Sequence, residues 1–183
     1  APASSIEEFR SALADVDGMS VVAGSDRSRQ ESVALGLAAL GRCEADTVVL
    51  VHDAARPLTP PQVTGRVIDA VAGGAGAVIP VLPVTDTLKT VDAFGVVVGT
   101  PRRSDMVAVQ TPQGFRWDVL IRAHEEGASL GTDEARAATD DAGLVEAIGG
   151  IVHTVAGDER SMKVTRPLDL ALARLLADQE QAD

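Results

Sequence analysis

Apolar residues recur along this chain with two different periods. Dense runs of Val, Leu, Ile and Ala at residues 48–51, 77–81 and 151–155 carry no carboxylate, lysine or arginine, as expected of strands buried on both faces. Between them apolar residues fall three and four apart, the spacing of one helix face. Ser5 with Glu8 three residues on predicts a capped helix start running to about Ala14. Val21-Val22-Ala23 reads as a short strand that enters the polar loop Gly24-Ser25-Asp26-Arg27-Ser28. Residues 29–40 read as a helix that stops at Gly41. A strand over 47–51 follows, then a helix capped by Thr59 with Pro60 and Pro61 in its first turn, then a strand over 76–81.

From Pro83 the pattern changes. Residues 87–91 and 96–100 are β-prone runs joined by Asp92-Ala93-Phe94-Gly95, a hairpin that would project as an arm spanning 83–106. After Thr111-Pro112-Gln113-Gly114 the spacing predicts a helix over about 117–126 and a helical stretch around 132–148. A strand at 151–155 and a closing helix from about 167 to 178 complete the chain. Strands alternating with helices predict an α/β fold on a mostly parallel sheet, one domain over residues 1–183; the arm over 83–106 is a natural dimerisation device, and a simple edge hairpin fits the pattern equally well.

Composition changes this picture only at the margins. At 183 residues and 45% hydrophobic content the chain is long enough for one sizeable core. No apolar run approaches the ~20 residues of a membrane span. A formal net charge of −11 argues against nucleic-acid binding, which needs a basic face, so an anionic small substrate must be met by local cations or a metal. The single Cys43 has no partner for an internal disulfide and fits a reducing, cytoplasmic compartment. The start, Ala-Pro-Ala-Ser rather than Met, is expected of a shortened chain.

Four polar clusters follow strand ends, where open α/β sheets hold their ligands. In the segment from Gly24 to Ser32, glycine permits close backbone approach and the helix start offers amides to an anion or a base edge; an ordinary solvated loop with a cap would look the same. In His52-Asp53-Ala54-Ala55-Arg56-Pro57, the acid is placed to hold a divalent cation and the arginine a phosphate, against the plainer possibility of an internal Asp53–Arg56 pair; His52 reads as structural. The third cluster is split among Asp86-Thr87-Leu88-Lys89, Pro101-Arg102-Arg103-Ser104-Asp105 and Gln110-Thr111-Pro112-Gln113, either a phosphate clamp or a solvated turn. In the fourth, Asp158 to Pro167, Lys163 could neutralise a triphosphate and a nearby acid could complete a metal site, or Thr165 could simply cap the last helix. No Ser/His/Asp set, CxxC, HExxH or Walker A sequence is present. Chemistry that needs positioning and charge neutralisation rather than a covalent intermediate fits best.

Taken in order, Arg29-Gln30-Glu31-Ser32-Val33, Val51-His52-Asp53-Ala54-Ala55-Arg56-Pro57, Asp86-Thr87-Leu88-Lys89, Thr111-Pro112-Gln113 and Lys163-Val164-Thr165-Arg166-Pro167-Leu168-Asp169-Leu170 resemble the 2-C-methyl-D-erythritol 4-phosphate cytidylyltransferases over nearly the whole chain. The resemblance implies a Rossmann-like nucleotidyltransferase fold and a homodimer with interlocked arms. It also implies transfer of CMP from CTP to methylerythritol phosphate with release of pyrophosphate. By the same resemblance, Gly24, Ser25, Arg29 and Ser32 surround the cytosine and ribose, Asp53 ligands Mg²⁺, Ala54 lies against the nucleotide and Lys163 touches its phosphates. Arg56 and Thr111 line the sugar-phosphate pocket, Thr87 and Arg103 enter it from the partner's arm, and Lys163 and Arg56 carry the catalysis. The Gly24 loop is longer than the family's double-glycine turn, and either Asp158 or Glu159 matches its second metal-side acid. The family's opening glycine-rich loop, with its arginine and lysine, has no counterpart before Ser4, so this chain alone is expected to be inactive. A pentitol (ribitol) 5-phosphate cytidylyltransferase and a non-catalytic nucleotide-binding dimer scaffold are the alternative expectations.

Overall fold

The computed structural model describes residues 1–128 and 138–180. In chain order these form α1 (Ile6–Ala12), α2 (Arg29–Leu40), β1 (Val48–Val51), α3 (Pro61–Ala72), β2 (Ala77–Pro83), β3 (Thr90–Val91), β4 (Val97–Gly99), β5 (Val107–Val109), β6 (Gln113–Arg116), α4 (Trp117–Gly127), α5 (Asp141–Ala147), β7 (Val152–Ala156) and α6 (Pro167–Glu180). Short 3₁₀ turns sit at Ala3–Ser5, Arg103–Asp105 and Glu159–Ser161.

The central sheet is built on β2. Along one edge β2 pairs in parallel with β7; along the other it pairs antiparallel with β6 through Ala77 and Val78 and with β5 from Val81 to Pro83. β6 in turn pairs antiparallel with β1. The expectation of a mostly parallel sheet therefore holds for direction, since β1, β2 and β7 point the same way, and fails for pairing. A strand over Gln113–Arg116 stands between β1 and β2, where the sequence shows only turn-like Pro, Gln and Gly before the next helix. Burial makes that strand: Gln113, Gly114 and Phe115 are covered on both faces, and a covered backbone must pair its N–H and C=O groups.

Strand alternation divides the core into two layers. Val49 of β1 joins Ala77, Phe115, Leu37 of α2, Leu120 and Ala123 of α4 and Leu144 and Val145 of α5 on one face. Val48 and Leu50 turn to the other face, against Val67 and Val71 of α3 and Val78. On α3, Val63, Val67 and Val71 are buried at i, i+4 and i+8, each worth on the order of 1.5–3 kcal/mol relative to exposure. A Cβ on Gly114 would collide with Val67 and come within 3.2 Å of Val71, so the glycine is what lets α3 lie down on β6.

Several local expectations hold. The α2 helix has the limits read from its spacing, with Ser28 accepting from the Glu31 N–H and Gly41 closing it at φ 73°. The hairpin forms with shorter strands, β3 and β4, because the Asp92 carboxylate takes the N–H groups of Phe94 and Val96 and pinches the turn.

Others fail for identifiable reasons. Ser5 makes no side-chain cap bond, since at φ −118° and ψ 10° it continues a 3₁₀ turn instead of taking the extended shape a cap needs, and the helix stops at Ala12. Residues 21–23 are not a strand: among the described residues this segment pairs its backbone with Ala1, whose N–H₃⁺ donates to the Val22 carbonyl and whose own carbonyl accepts from Gly24. Thr59 donates its hydroxyl to the Arg56 carbonyl, leaving Pro60 at the N-cap of α3. Thr165 does not cap α6 with its own side chain; the carboxylate of Asp169 reaches back to the N–H groups of Thr165 and Arg166. Of the helical stretch expected over 132–148, residues 132–137 lie outside the described residues and the rest forms the shorter α5, begun by the Asp140 side chain on the Gly143 N–H.

Candidate active site

The β1 strand ends at Val51, and the chain turns at once: the Arg56 N–H donates to the Asp53 carbonyl at 2.9 Å. Two elements fix this turn. The Thr111 hydroxyl, from the break between β5 and β6, accepts the Asp53 N–H at 3.0 Å and lies 2.9 Å from His52 Nδ1. His52 Nε2 lies 3.3 Å from the Arg56 carbonyl, which only accepts, so the network requires the Nε2–H tautomer with Nδ1 accepting from Thr111. His52 is thus a satisfied structural histidine, as its sequence context suggests.

The carboxylate so presented meets three cations. Lys163 Nζ lies 3.1 Å away, Arg29 Nε 3.5 Å and Arg56 Nε 3.6 Å. Lys163 comes from the loop after β7, docked by a 2.8 Å bond from the Val164 N–H to the Ala55 carbonyl. Arg29 is the first residue of α2. Arg56 donates Nη1 to the Ser161 carbonyl at 2.6 Å and Nη2 to the Val109 carbonyl at 3.4 Å; among the described residues its buried Nε has no hydrogen-bond acceptor. Burial pushes the Asp53 carboxyl up, but Lys163, Arg29 and Arg56 outweigh it and hold the group below the usual carboxylate range. These side chains, with Thr111, Gln113 and Asp140, line a cavity of about 280 Å³. In a chain with eleven excess negative charges, three cations gather here; Asp53 and Asp140 share the lining with them, and a third carboxylate, Asp141, pairs with Arg29 from behind.

Arg29 is held from behind as well. Its Nη1 donates to Asp141 Oδ2 at 2.8 Å, and Asp141 Oδ1 lies 2.9 Å from His124 Nε2. Burial raises the Asp141 carboxyl, and the His124 and Arg29 bonds more than reverse it, leaving that group also below its ordinary value. Two buried glutamines tie the surrounding loops. Gln110 exchanges two bonds with the backbone of Asp158, while Gln113 donates to Asp140 and accepts the Ala142 N–H.

Of the residues marked from sequence, the fold brings Arg29, Asp53, Arg56, Thr111 and Lys163 together, with Ala54 exposed at the rim of the same turn. Gly24 and Ser32 instead line a neighbouring cavity of about 480 Å³ between α2 and β1. Ser32 spends its hydroxyl on the Ser25 N–H and the Ser25 and Ser28 carbonyls, and the Ser25 hydroxyl bonds Glu31. Thr87 and Arg103 are exposed beyond β2 and outside this cavity, Arg103 donating to the Thr85 carbonyl at 2.7 Å. Asp158 begins the 3₁₀ turn at Glu159–Ser161, accepting the Arg160 N–H, and neither it nor Glu159 reaches the site. Asp140 and Asp141 escape notice in the sequence because 132–148 reads as one helix, although the pair ahead of Ala-Gly is a helix-start signature; His124, inside the helix expected over about 117–126, carries no local sign of its distant partner.

Asp53 and Asp140 are the acids of this cavity, and among the described residues no three or more His, Cys, Asp or Glu side chains gather where they could hold a metal ion. That donor set suits Mg²⁺, which keeps its waters and binds through one or two carboxylates plus phosphate oxygens, with the half-exposed Lys163 free to yield its place.

The family model described as 2-C-methyl-D-erythritol 4-phosphate cytidylyltransferase matches residues 2–179. A relative of that description from Rhodococcus jostii is 51% identical over 161 residues, covering 88% of this chain; the chain spans 66% of that relative's length. A crystal structure of 2-C-methyl-D-erythritol 4-phosphate cytidylyltransferase from Thermus thermophilus is similar at TM-score 0.71 and 42% identity, over 86% of this chain and 72% of its own. The structure of 4-diphosphocytidyl-2C-methyl-D-erythritol synthase from Anaerococcus prevotii is similar at TM-score 0.82 and 26% identity, over 97% and 78%.

Proposed function

The chain belongs to the 2-C-methyl-D-erythritol 4-phosphate cytidylyltransferase family, and from that premise we propose that the protein carrying it transfers CMP from CTP to 2-C-methyl-D-erythritol 4-phosphate. The fold is the Rossmann-like α/β fold of these nucleotidyltransferases. The observation that carries the reading is the convergence of Arg29, Arg56 and Lys163 on Asp53. A phosphate oxygen of the sugar alcohol attacks the α-phosphorus of CTP in line, a new P–O bond forms, the bond to the β-phosphate oxygen breaks, and pyrophosphate leaves.

Each residue has a part in that step. Lys163 and Arg29 meet the nucleotide phosphates and ribose, with the loop from Gly24 through Ser25 to Ser32 and the small Ala54 alongside. Arg56, nearly buried beside Thr111 and paired with Asp53 at 3.6 Å, presents its fixed charge to the substrate phosphate. Fixed cations stabilise the charge on the pentacoordinate phosphorus without reorganising. Asp53 would hold Mg²⁺ brought in on the triphosphate, and the metal, when bound, neutralises charge on the phosphate oxygens.

Thr87 and Arg103 lie outside their own chain's cavity, and the hairpin that follows Thr87 exposes Phe94 (92%) and Val98 (64%). A homodimer in which the arm, residues 83–106, crosses to a partner would cover those side chains and deliver Thr87 and Arg103 to the partner's site. No helix among the described residues is long and apolar enough to cross a membrane, and the lone free Cys43 suits a reducing cytoplasm.

The test is pyrophosphate release by the intact protein from CTP and methylerythritol phosphate, with ribitol 5-phosphate in parallel and Asp53→Asn as the control. Turnover should prefer methylerythritol phosphate and fall at least ~100-fold in Asp53→Asn. Preference for ribitol phosphate would overturn the substrate, and near-normal turnover of the variant would overturn the role of Asp53.

A further inference from the structure

His124 stands apart from the cavity, on α4, yet is 7% exposed and bonded to a fully buried carboxylate. We propose that His124 is a positioning residue for the nucleotide site: it holds Asp141 in the one orientation that clamps the Arg29 guanidinium over Asp53.

Arg29 is gripped at two points of its planar fork, Nη1 by Asp141 Oδ2 at 2.8 Å and Nε by Asp53 Oδ1 at 3.5 Å. Two anchors set both the position and the tilt of a guanidinium; one leaves it free to pivot. Asp141 is itself free to turn its carboxylate about the Cβ–Cγ bond unless something holds the far oxygen, and His124 Nε2 at 2.9 Å does so. The order of support runs from α4 through α5 and the start of α2 to the end of β1, by hydrogen bonds at the first two joints and a 3.5 Å ion pair at the last.

A merely stabilising role explains the set less well. Placing a fully buried carboxylate and a buried imidazole between helices costs desolvation that apolar side chains of the same volume would avoid. Asp141 remains below its ordinary carboxylate range, so it is charged at neutral pH and binds Arg29 as an anion. His124 therefore faces it with an N–H on Nε2. His124 also borders a cleft of about 260 Å³ between α2 and α4, lined in part by Gln30 and Leu35.

The inference rests on the reading of Arg29 as a nucleotide contact, and the experiment separates the two. In the intact protein, His124→Leu should raise both the KM and the calorimetric Kd for CTP about tenfold, the scale of one hydrogen bond to a charged group, while the KM for methylerythritol phosphate stays within about twofold. His124→Gln, which keeps an N–H within reach of Asp141, should recover most of that loss. In an Arg29→Ala background His124→Leu should add nothing, because its effect travels through Arg29. If Arg29→Ala weakens CTP binding and His124→Leu does not, or if the double variant loses the product of both effects, the positioning role is wrong. If Arg29→Ala leaves CTP binding unchanged, the nucleotide reading of Arg29 falls and the proposal with it. Should His124→Leu fail to fold, Asp141→Asn, of the same shape, takes its place with the same expected pattern.

Discussion

Arg56 and Arg103 carry the same charge and the same proposed ligand, but their surroundings give them different consequences. Arg56 is nearly buried and ties the end of β1 to the carbonyls of Ser161 and Val109, so it braces three segments even with no substrate present. Arg103 is exposed and donates to the Thr85 carbonyl. Both Arg56→Ala and Arg103→Ala should raise the KM for the sugar phosphate more than that for CTP. Only Arg56→Ala should also lower the melting temperature, by an amount equivalent to about 2–3 kcal/mol, whereas Arg103→Ala should stay within about 0.5 kcal/mol. Steady-state kinetics beside thermal melts separate these. Equal effects of either variant on both substrates would show that nucleotide and sugar phosphate do not occupy separate pockets.

Among the elements, β6 decides how the site is assembled. It inserts antiparallel between β1 and β2, and the break that precedes it, at Gln110 to Pro112, brings Thr111 against Asp53 and Gln110 against Asp158. Its own seat depends on Gly114 lying under Val67 and Val71 of α3. Gly114→Ala should therefore push α3 off the sheet and cost about 1–3 kcal/mol. In chemical denaturation the midpoint should fall with the slope unchanged; a midpoint equal to the parent's would show that α3 yields without cost.

Over the whole molecule, buried and hydrogen-bonded carboxylates set the response to acid. Asp53 and Asp141 sit below their ordinary values, and Asp169 is held down to about 2 by the N–H groups of Thr165 and Arg166 and the Thr165 hydroxyl. Each binds its proton less readily folded than unfolded, so its stabilisation is complete above the unfolded value near 3.8 and is lost as pH falls through the folded one. The contribution of these groups to the melting temperature should thus be level from pH 7 to 5 and decline below about 4. Asp141→Asn should start lower at neutral pH and fall less steeply in acid, so that the two curves converge. An acid limb as steep as the parent's would remove Asp141 from the account.

The proposed dimer makes a separate claim at this scale. Mixing inactive Asp53→Asn with Arg103→Ala protein, with exchange followed by a mass tag, should restore part of the activity, since one site of each heterodimer then has both residues intact. Exchange without recovery would confine Arg103 to its own chain.

Local chemistry determined a good deal of this protein. The limits of α2 follow from a serine cap and a terminal glycine, the hairpin turn from Asp92 and Gly95, and the acid at the end of β1 from an apolar run that stops at His52-Asp53; each depends on neighbours a few residues away. Tertiary structure alone decided the rest. The strand at Gln113–Arg116 exists because β1 and β2 lie on either side of it, and residues 21–23 fail to be one because, among the described residues, Ala1 rather than a strand lies beside that segment. The clamp on Arg29 joins residues 112 positions apart in the chain, and no pattern within a segment encodes which distant carboxylate a guanidinium will meet. Helix caps and turns are closed by bonds a few residues long, whereas strand pairing and buried charge pairs exist only after the layers have packed and water has been excluded.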